Sequence, residues 1–310
     1  MSYARLSSVR SATPAERIAT LWQRHERKLA PYFFIAPFFV VFVTIFLGPI
    51  LAGVYISLTQ WNGIGQAKFI GVSNYVRLFE DPKVGLAATN TLWYVGGALL
   101  LVIPAALGIA SALNQPALRF RTGFRVIYFL PVLTSIVVIA LMFGLLYDRD
   151  IGLVNWLLSL VGIEPVYWLG KTWGKLTIDT LIVWRWAGYL SLYFLAGLQA
   201  IPKDLYDSAE VDGANGWQRF TNVTVPMLRP IIIFVAVTVL IGSSQIFEEP
   251  YILTGGGPQD TTLSMAMELY REGLAQLNFG YACAIGIALF AVSFCVSWAQ
   301  IRLLGMFRED

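Results

Sequence analysis

The sequence predicts an all-α, polytopic membrane protein with six transmembrane helices. Three observations carry that reading. Only 13% of the 310 residues are charged, about half the ~25% usual in soluble domains, so water is not the main solvent of this chain. Six runs, at about residues 32–58, 86–113, 124–147, 176–200, 226–248 and 280–304, reach the roughly 20 mostly apolar residues that a helix needs to cross a bilayer. None shows the ~10-residue alternation of a barrel strand, and only helices or closed barrels satisfy every backbone polar group inside lipid.

The elements follow in order. The tail, residues 1–31, carries Arg5, Arg10, Arg17, Arg24, Arg27 and Lys28, which by the positive-inside rule places it in the cytoplasm. Six spans then return the C-terminal end, 306–310, to the same side. On that topology about fourteen Lys and Arg lie inside and seven outside. The tail also holds Glu16 and Glu26, and the first apolar run is too long for a cleavable signal, so the run is expected to stay as a span. Loops 59–85, 148–175 and 249–279 are expected outside and loop 114–123 inside. The last outer loop holds Thr254-Gly255-Gly256-Gly257-Pro258, a flexible break, and then SMAMELYREGLAQL, whose apolar spacing suggests a short surface helix. Pro37, Pro49, Pro104, Pro131 and Pro230 punctuate the spans. They are expected to kink them.

Several chemistries are excluded. Cys283 and Cys295 share the last run, about 18 Å apart along a helix, too far for a mutual disulfide or a shared metal. The single histidine is His25, which argues against a histidine-based catalytic or metal site. Gly170-Lys171-Thr172 imitates the end of a phosphate-binding loop, but Pro165 stands where the first glycine belongs. This chain is therefore not expected to bind or hydrolyse ATP.

One ionisable residue lies deep in a span. Arg185, in VWRWAGY, is nine steps into the fourth run, about 14 Å at helical rise. Intramembrane charges are costly and commonly functional. Three readings stay open: an ion pair, with Glu248 as partner; a lining residue of a substrate cavity; or a side chain that snorkels to the interface. Helical i, i+4 spacing would put Ser244 with Glu248, and Gln245 with Glu249, on one face. Glu248 and Glu249 could also simply end the fifth span before Pro250.

About twenty polar residues separate the fourth and fifth runs, far more than a turn needs. Asp204, Asp207, Glu210 and Asp212 fall early, where acids favour a helix start. Leu205, Ala209, Trp217 and Phe220 supply apolar contacts, and Gly213 should divide the segment into two short helices. The order of residues here closely resembles the EAA loop of the permease subunits of ATP-binding-cassette importers. The acid is Asp207, the small pair Ser208 and Ala209, then come Asp212, Gly213 and Ala214, the aromatic Phe220, and Pro226 and Pro230. Asp for Glu at 207 and Ser for Ala at 208 are conservative departures. The stretches SLTQWNG…FIGVSNYVRLFEDP, FRVIYFLPVLTSIVVIALMFGLLYDRDIGLVNWLL, LTGGGPQDTT and NFGYACAIGIALF, over about residues 32–305, look like the carbohydrate, maltose-type branch of that family.

The resemblance implies a type I importer transmembrane domain over 32–305, with the loop at about 203–225 as a cytoplasmic coupling helix docked on a separate ATPase. ATP and Mg would be bound by that ATPase, and no cofactor by this chain. The implied partners are a homologous second permease, two ATPase subunits, an extracytoplasmic solute-binding protein and the lipid bilayer, with no nucleic acid. The implied place is a bacterial-type inner membrane, and the implied work is alternating-access uptake of a sugar. Aligned on the loop, Trp184, Gly188 and Ser243 take the sugar-contact positions, with Ala187 and Gln245 beside them. Asparagines typical of the maltose member are missing at 184 and 243, so maltose bound in the same way is not expected. Arg185, Tyr189, Ser244, Gln245 and Glu248 complete the expected pathway, with the indoles of Trp184 and Trp186 offering faces for sugar C–H surfaces. Arg185 would also suit an anion, which leaves a glycerol-3-phosphate-type permease as the alternative. An ion-coupled secondary transporter would leave the coupling loop unexplained.

Overall fold

The structure, a computed structural model, describes residues 29–304. The basic tail with His25, and the end at 306–310, lie outside the described residues. The chain divides after Tyr55 into two units.

The first unit holds most of helix α1, Leu29–Ser57. Its middle is a π-helical stretch, Phe42–Leu47, just before Gly48 and Pro49. Pro49 brings no N–H and crowds the carbonyl one turn back, so the turn before it widens. Phe38, Phe42 and Phe46 stack at one-turn spacing, with ring centroids 6.0 and 6.1 Å apart.

The second unit starts with a two-residue antiparallel ladder, β1 Thr59–Gln60 on β2 Lys68–Phe69. Helix α2, Ser73–Glu80, follows. Helix α3, Pro82–Asn114, begins with Pro82 as its first residue, and its cap Asp81 accepts the Lys83 N–H at 3.0 Å. Both are favoured helix starts. Then come α4 Arg121–Leu133, α5 Ile136–Leu146, α6 Leu153–Ser159, α7 Gly174–Ala200, α8 Lys203–Val211, α9 Gly216–Met227 and α10 Arg229–Ser244. The last are α11 Glu248–Thr254, α12 Met265–Tyr270 and α13 Phe279–Leu304.

Among the described residues, four helices, α1, α3, α7 and α13, are long and apolar enough to cross a membrane, and up to six spans result if the pairs α4–α5 and α9–α10 each count once. Those pairs bend by 98° and 69°. Thus the expected run at 124–147 is two helices. It breaks just after Pro131, where Thr134 and Ser135 leave the helical conformation. The expected run at 226–248 is shorter as a helix, because its first residues belong to α9 and Glu248 to α11.

The core is the α3–α7 pair with α5 and α10 against it. Ala98, Ala106 and Ala110 of α3 are buried, as are Ala187, Ser191 and Gly197 of α7. Small residues let helix backbones approach closely, which is how membrane helices pack without a hydrophobic drive between them. Gly188 is the tightest crossing: a Cβ there would strike the backbone carbonyl of Tyr128 on α4.

A second apolar cluster joins Leu78, Val84 and Ala87 to Leu263, Met265, Met267, Tyr281 and Ile285. It seats α12, which is therefore not the expected surface helix: Met265, Met267 and Glu268 are buried. The preceding loop is clamped by α3. Asn90 donates to the carbonyls of Asp260 (3.1 Å) and Leu263 (2.9 Å). Thr91 accepts the Met265 N–H at 2.9 Å, and the Tyr94 hydroxyl donates to the Thr262 carbonyl at 3.1 Å. Residues 148–166 are organised in the same way by Asn155, whose amide nitrogen donates to the carbonyls of Asp148, Arg149 and Val166.

Candidate functional site

Two features stand out, a cavity and a hairpin, and they are covalently continuous. A cavity of about 410 Å³ lies between α3, α7, α10 and α11. Helix α7 presents Arg185, Trp186 and Tyr189 to it, one helical turn of polar and aromatic groups. Helix α10 presents Thr238 and Ser243, and the break after α10 presents Gln245 and Phe247. Glu248 and Glu249 enter from the first turn of α11, where acidic side chains favour the positive end of the helix.

Arg185 is the electrostatic centre. Its Nη1 lies 3.0 Å from Glu249 Oε1 and 3.5 Å from Glu248 Oε2. Arg185 and Glu249 are largely buried, with side chains 13% and 9% exposed, whereas Glu248 is 54% exposed. The guanidinium also sits 5.2 Å from the Trp186 ring centroid, within cation–π range. Tyr189 packs on Phe129 and Trp186, and its hydroxyl shares a 2.8 Å hydrogen bond with Tyr193.

The structure brings together five of the eight expected pathway residues: Arg185, Tyr189, Ser243, Gln245 and Glu248. Ser243 donates to the Val239 carbonyl at 2.6 Å. Three others lie elsewhere. Trp184 faces Phe143 of α5, with centroids 5.6 Å apart. Gly188 is covered by the α4 backbone. Ser244 is buried and accepts a hydrogen bond from Ser293 of α13 at 3.0 Å. The i, i+4 pairing of Ser244 with Glu248 does not occur, since α10 ends at Ser244 and a new helix starts at Glu248. Glu248 and Glu249 thus begin a helix rather than end one, with Pro250 inside its first turn, where a missing N–H costs nothing. Glu249, expected on one face with Gln245, is the closer partner of Arg185, where Glu248, one residue away, was the expected partner. Only the register change after Gln245 decides between them.

The hairpin connects the two helices that line the cavity. Helix α7 runs into α8, and α9 runs into α10. Gly213 takes φ +78° between α8 and α9, a conformation that suits glycine. The Ala214 N–H closes on the Ala209 carbonyl at 2.9 Å. Asn215 and Gln218 form a reciprocal capping box at the start of α9, which satisfies donors the helix start leaves open. Arg219 pairs with Glu210 at 2.7 Å, Tyr206 and Thr224 share a hydroxyl hydrogen bond at 2.9 Å, and Trp217 stacks on Phe220 at 5.6 Å. Asp207, Ser208, Asp212 and Gly213 are exposed, while Ala209, Ala214 and Phe220 are half-buried. The hairpin is therefore braced within itself and presents acids and small residues outward.

Residues 103–303, about two thirds of the chain, match the model of the family described as binding-protein-dependent transport system inner membrane component. The chain belongs to that family. It is a transport permease subunit rather than an enzyme, and a multi-pass protein of the inner membrane. Its relatives include the arabinooligosaccharides transport system permease protein AraP of Bacillus subtilis (strain 168), 38% identical over 92% of each chain. The lactose transport system permease protein LacF of Rhizobium radiobacter is 35% identical, covering 87% of this chain and 92% of that one. Among solved structures, a chain of a bacterial ABC transporter involved in import of the acidic polysaccharide alginate superposes with TM-score 0.79. It is 26% identical, over 94% of this chain and 100% of that one. A further structure of a bacterial alginate ABC transporter, in complex with an alginate pentasaccharide-bound periplasmic protein, also has TM-score 0.79, with 27% identity over 91% of this chain and 96% of that one.

Proposed function

We propose that this permease carries a saccharide across the inner membrane by alternating access, as one of two homologous permeases in an ATP-driven importer. On this reading it has six spans, α4–α5 and α9–α10 each counting as one, with both termini and the α8–α9 hairpin in the cytoplasm. The hairpin docks on a separate ATPase, which binds ATP and Mg. A solute-binding protein delivers the sugar from outside. Asp207, Ser208, Ala209, Asp212, Gly213, Ala214 and Phe220 form the ATPase contact. Arg185, Trp186, Tyr189, Ser243, Gln245 and Glu248 line the passage.

The observation that carries this reading is the continuity of hairpin and cavity. Any displacement of α8–α9 acts on α7 and α10 together, and those two helices hold the cavity between them. Because α8 and α9 are tied by the Glu210–Arg219 ion pair and the Tyr206–Thr224 hydrogen bond, and α9 is braced by its capping box and the Trp217–Phe220 stack, the hairpin moves as one piece. Nucleotide-driven motion of a docked ATPase would thus reach the cavity walls directly. The saccharide names of the relatives support the cargo class, and the paired aromatic and hydrogen-bonding side chains suit sugar faces and hydroxyls.

The test is co-purification of the tagged chain from its native membranes in mild detergent, with mass spectrometry of its companions and cysteine crosslinking from Ser208→Cys. An ATPase crosslinked at 208, a second six-span permease and a solute-binding protein are expected. A chain that purifies alone, with no crosslink at 208, would sink the coupling reading.

A further inference from the structure

We infer that Glu248 makes the cavity a charge filter, which admits uncharged polyhydroxylated cargo and turns away phosphorylated or uronic sugars. This rests on the cavity being the sugar passage. Among the described residues, only three that line the cavity carry formal charge: Arg185, Glu248 and Glu249. Their sum is one negative charge, so a cavity with an arginine at its centre is not an anion receptor.

The division of labour is set by distance and burial. Arg185 and Glu249 face each other at 3.0 Å and are both largely out of solvent. Each needs the other, since a buried charge left without its partner is strongly unfavourable. The same Nη1 reaches Glu248 at 3.5 Å, so the guanidinium charge is neutralised before any ligand arrives. Glu248, half-exposed, keeps free acceptor positions. A carboxylate only accepts hydrogen bonds, and a sugar hydroxyl can donate one. The Trp186 and Tyr189 rings beside it offer faces to the sugar's C–H surface.

An anionic cargo meets the opposite situation. To take Arg185 Nη1, a phosphate or carboxylate must displace Glu249 into a poorly solvated place without a cation, and at the guanidinium's remaining N–H groups it meets a charge already balanced by two carboxylates. To stay outside the pair, it must sit beside Glu248. Like charges a few ångströms apart in this reduced dielectric penalise binding by a factor of about ten or more. The filter thus decides against a glycerol-3-phosphate-type cargo for this chain. It also predicts a contrast with the alginate importer, whose cargo is acidic.

The experiment uses the permease–ATPase complex, purified without its binding protein and held in nanodiscs. Equilibrium binding is measured for a panel of neutral saccharides (lactose, arabinotriose, maltotriose) and for digalacturonate and glycerol 3-phosphate. The wild type should take at least one neutral saccharide about tenfold more tightly than either anion. Glu248→Gln should strengthen binding of the anions and close most of that gap. Added salt should weaken the discrimination in wild type, because it screens repulsion. Equal binding of neutral and anionic ligands by wild type, or an unchanged ratio in Glu248→Gln, overturns the filter and leaves the passage reading standing. If no neutral saccharide binds saturably, the passage reading falls and takes the filter with it. Glu248→Gln removes only the half-exposed member of the triad, so the buried Arg185–Glu249 pair stays in place.

Discussion

Replacing Arg185 by alanine should damage this protein through Glu249, not through Glu248. At 3.0 Å and an effective dielectric near 20, the direct attraction is about 5 kcal/mol. Breaking a buried pair by removing one partner commonly costs about 3–5 kcal/mol. Glu248 at 3.5 Å is 54% exposed, so its share is that of a surface pair, about 0–1 kcal/mol. Arg185→Ala should therefore lower stability by about 3–4 kcal/mol, on the order of 5–10 °C in the unfolding midpoint of a chain this size. Adding Glu249→Gln should recover most of that loss, since an amide needs no counter-charge, and adding Glu248→Gln should recover little. The assay is thermal unfolding of the detergent-solubilised complex, with size-exclusion to score assembly. A single variant as stable as wild type, or equal rescue by the two glutamines, would refute the assignment of the pair. Uptake by the assembled Arg185→Ala/Glu249→Gln complex then separates two roles. Lost uptake places Arg185 in the passage, and restored uptake reduces it to a structural ion.

Three further outcomes are expected. Gly188→Ala should cost about 1–3 kcal/mol or more, the range for overpacking, because the new methyl meets the Tyr128 carbonyl; Gly108→Ala, with open space around it, should leave the unfolding midpoint unchanged or slightly raised. Asn90→Ala strips the carbonyls of Asp260 and Leu263 of their donor, and amide exchange over residues 255–265 should quicken about tenfold or more, at roughly 1 kcal/mol per lost bond. Burial raises the Glu268 carboxyl above its usual range, against the lowering pull of Arg271, so the folded protein favours the proton. That contribution is complete below the unfolded value of about 4.3 and is lost as pH rises through the raised folded value. Glu268→Gln should thus gain stability relative to wild type as pH rises. A constant difference across the titration would contradict the assignment.

The helical runs were legible because about twenty apolar residues in a row have few other uses, and α1, α3, α7 and α13 follow them closely. The hairpin was legible too. Gly213 marked its turn, and α8 and α9 stand on either side. The break at Thr134 was not, since Pro131 gives the same signal whether a helix kinks slightly or turns by 98°. Packing across the bundle chooses between them. The cavity was legible in part. Arg185 announced itself by its charge, but periodicity alone could not show that α10 stops at Ser244. Hence Ser244 was expected inside the passage, and Glu248 rather than Glu249 was named as the arginine's partner. Gly188 illustrates the same limit: a glycine beside an aromatic can serve a ligand or a helix crossing, and only the position of α4 distinguishes them. Burial of α12 was equally hidden, because its apolar spacing suits a surface helix as well as one pressed beneath a clamped loop.

The clamp on that loop has a consequence for biogenesis. Asn90 is joined to residues 170 and 173 positions further along the chain. A ribosome adding about 5–20 residues per second leaves an interval of roughly 10–30 s between making the two halves. During it, the Asn90 amide N–H groups and the Tyr94 hydroxyl lack the loop carbonyls they will bond, whereas Thr91 already donates to the Ala87 carbonyl of its own helix. Helix α3 is thus inserted early but finished late. The last third of the polypeptide completes the first third, and a nascent chain halted before Leu263 holds a spanning helix whose polar groups still await their partners.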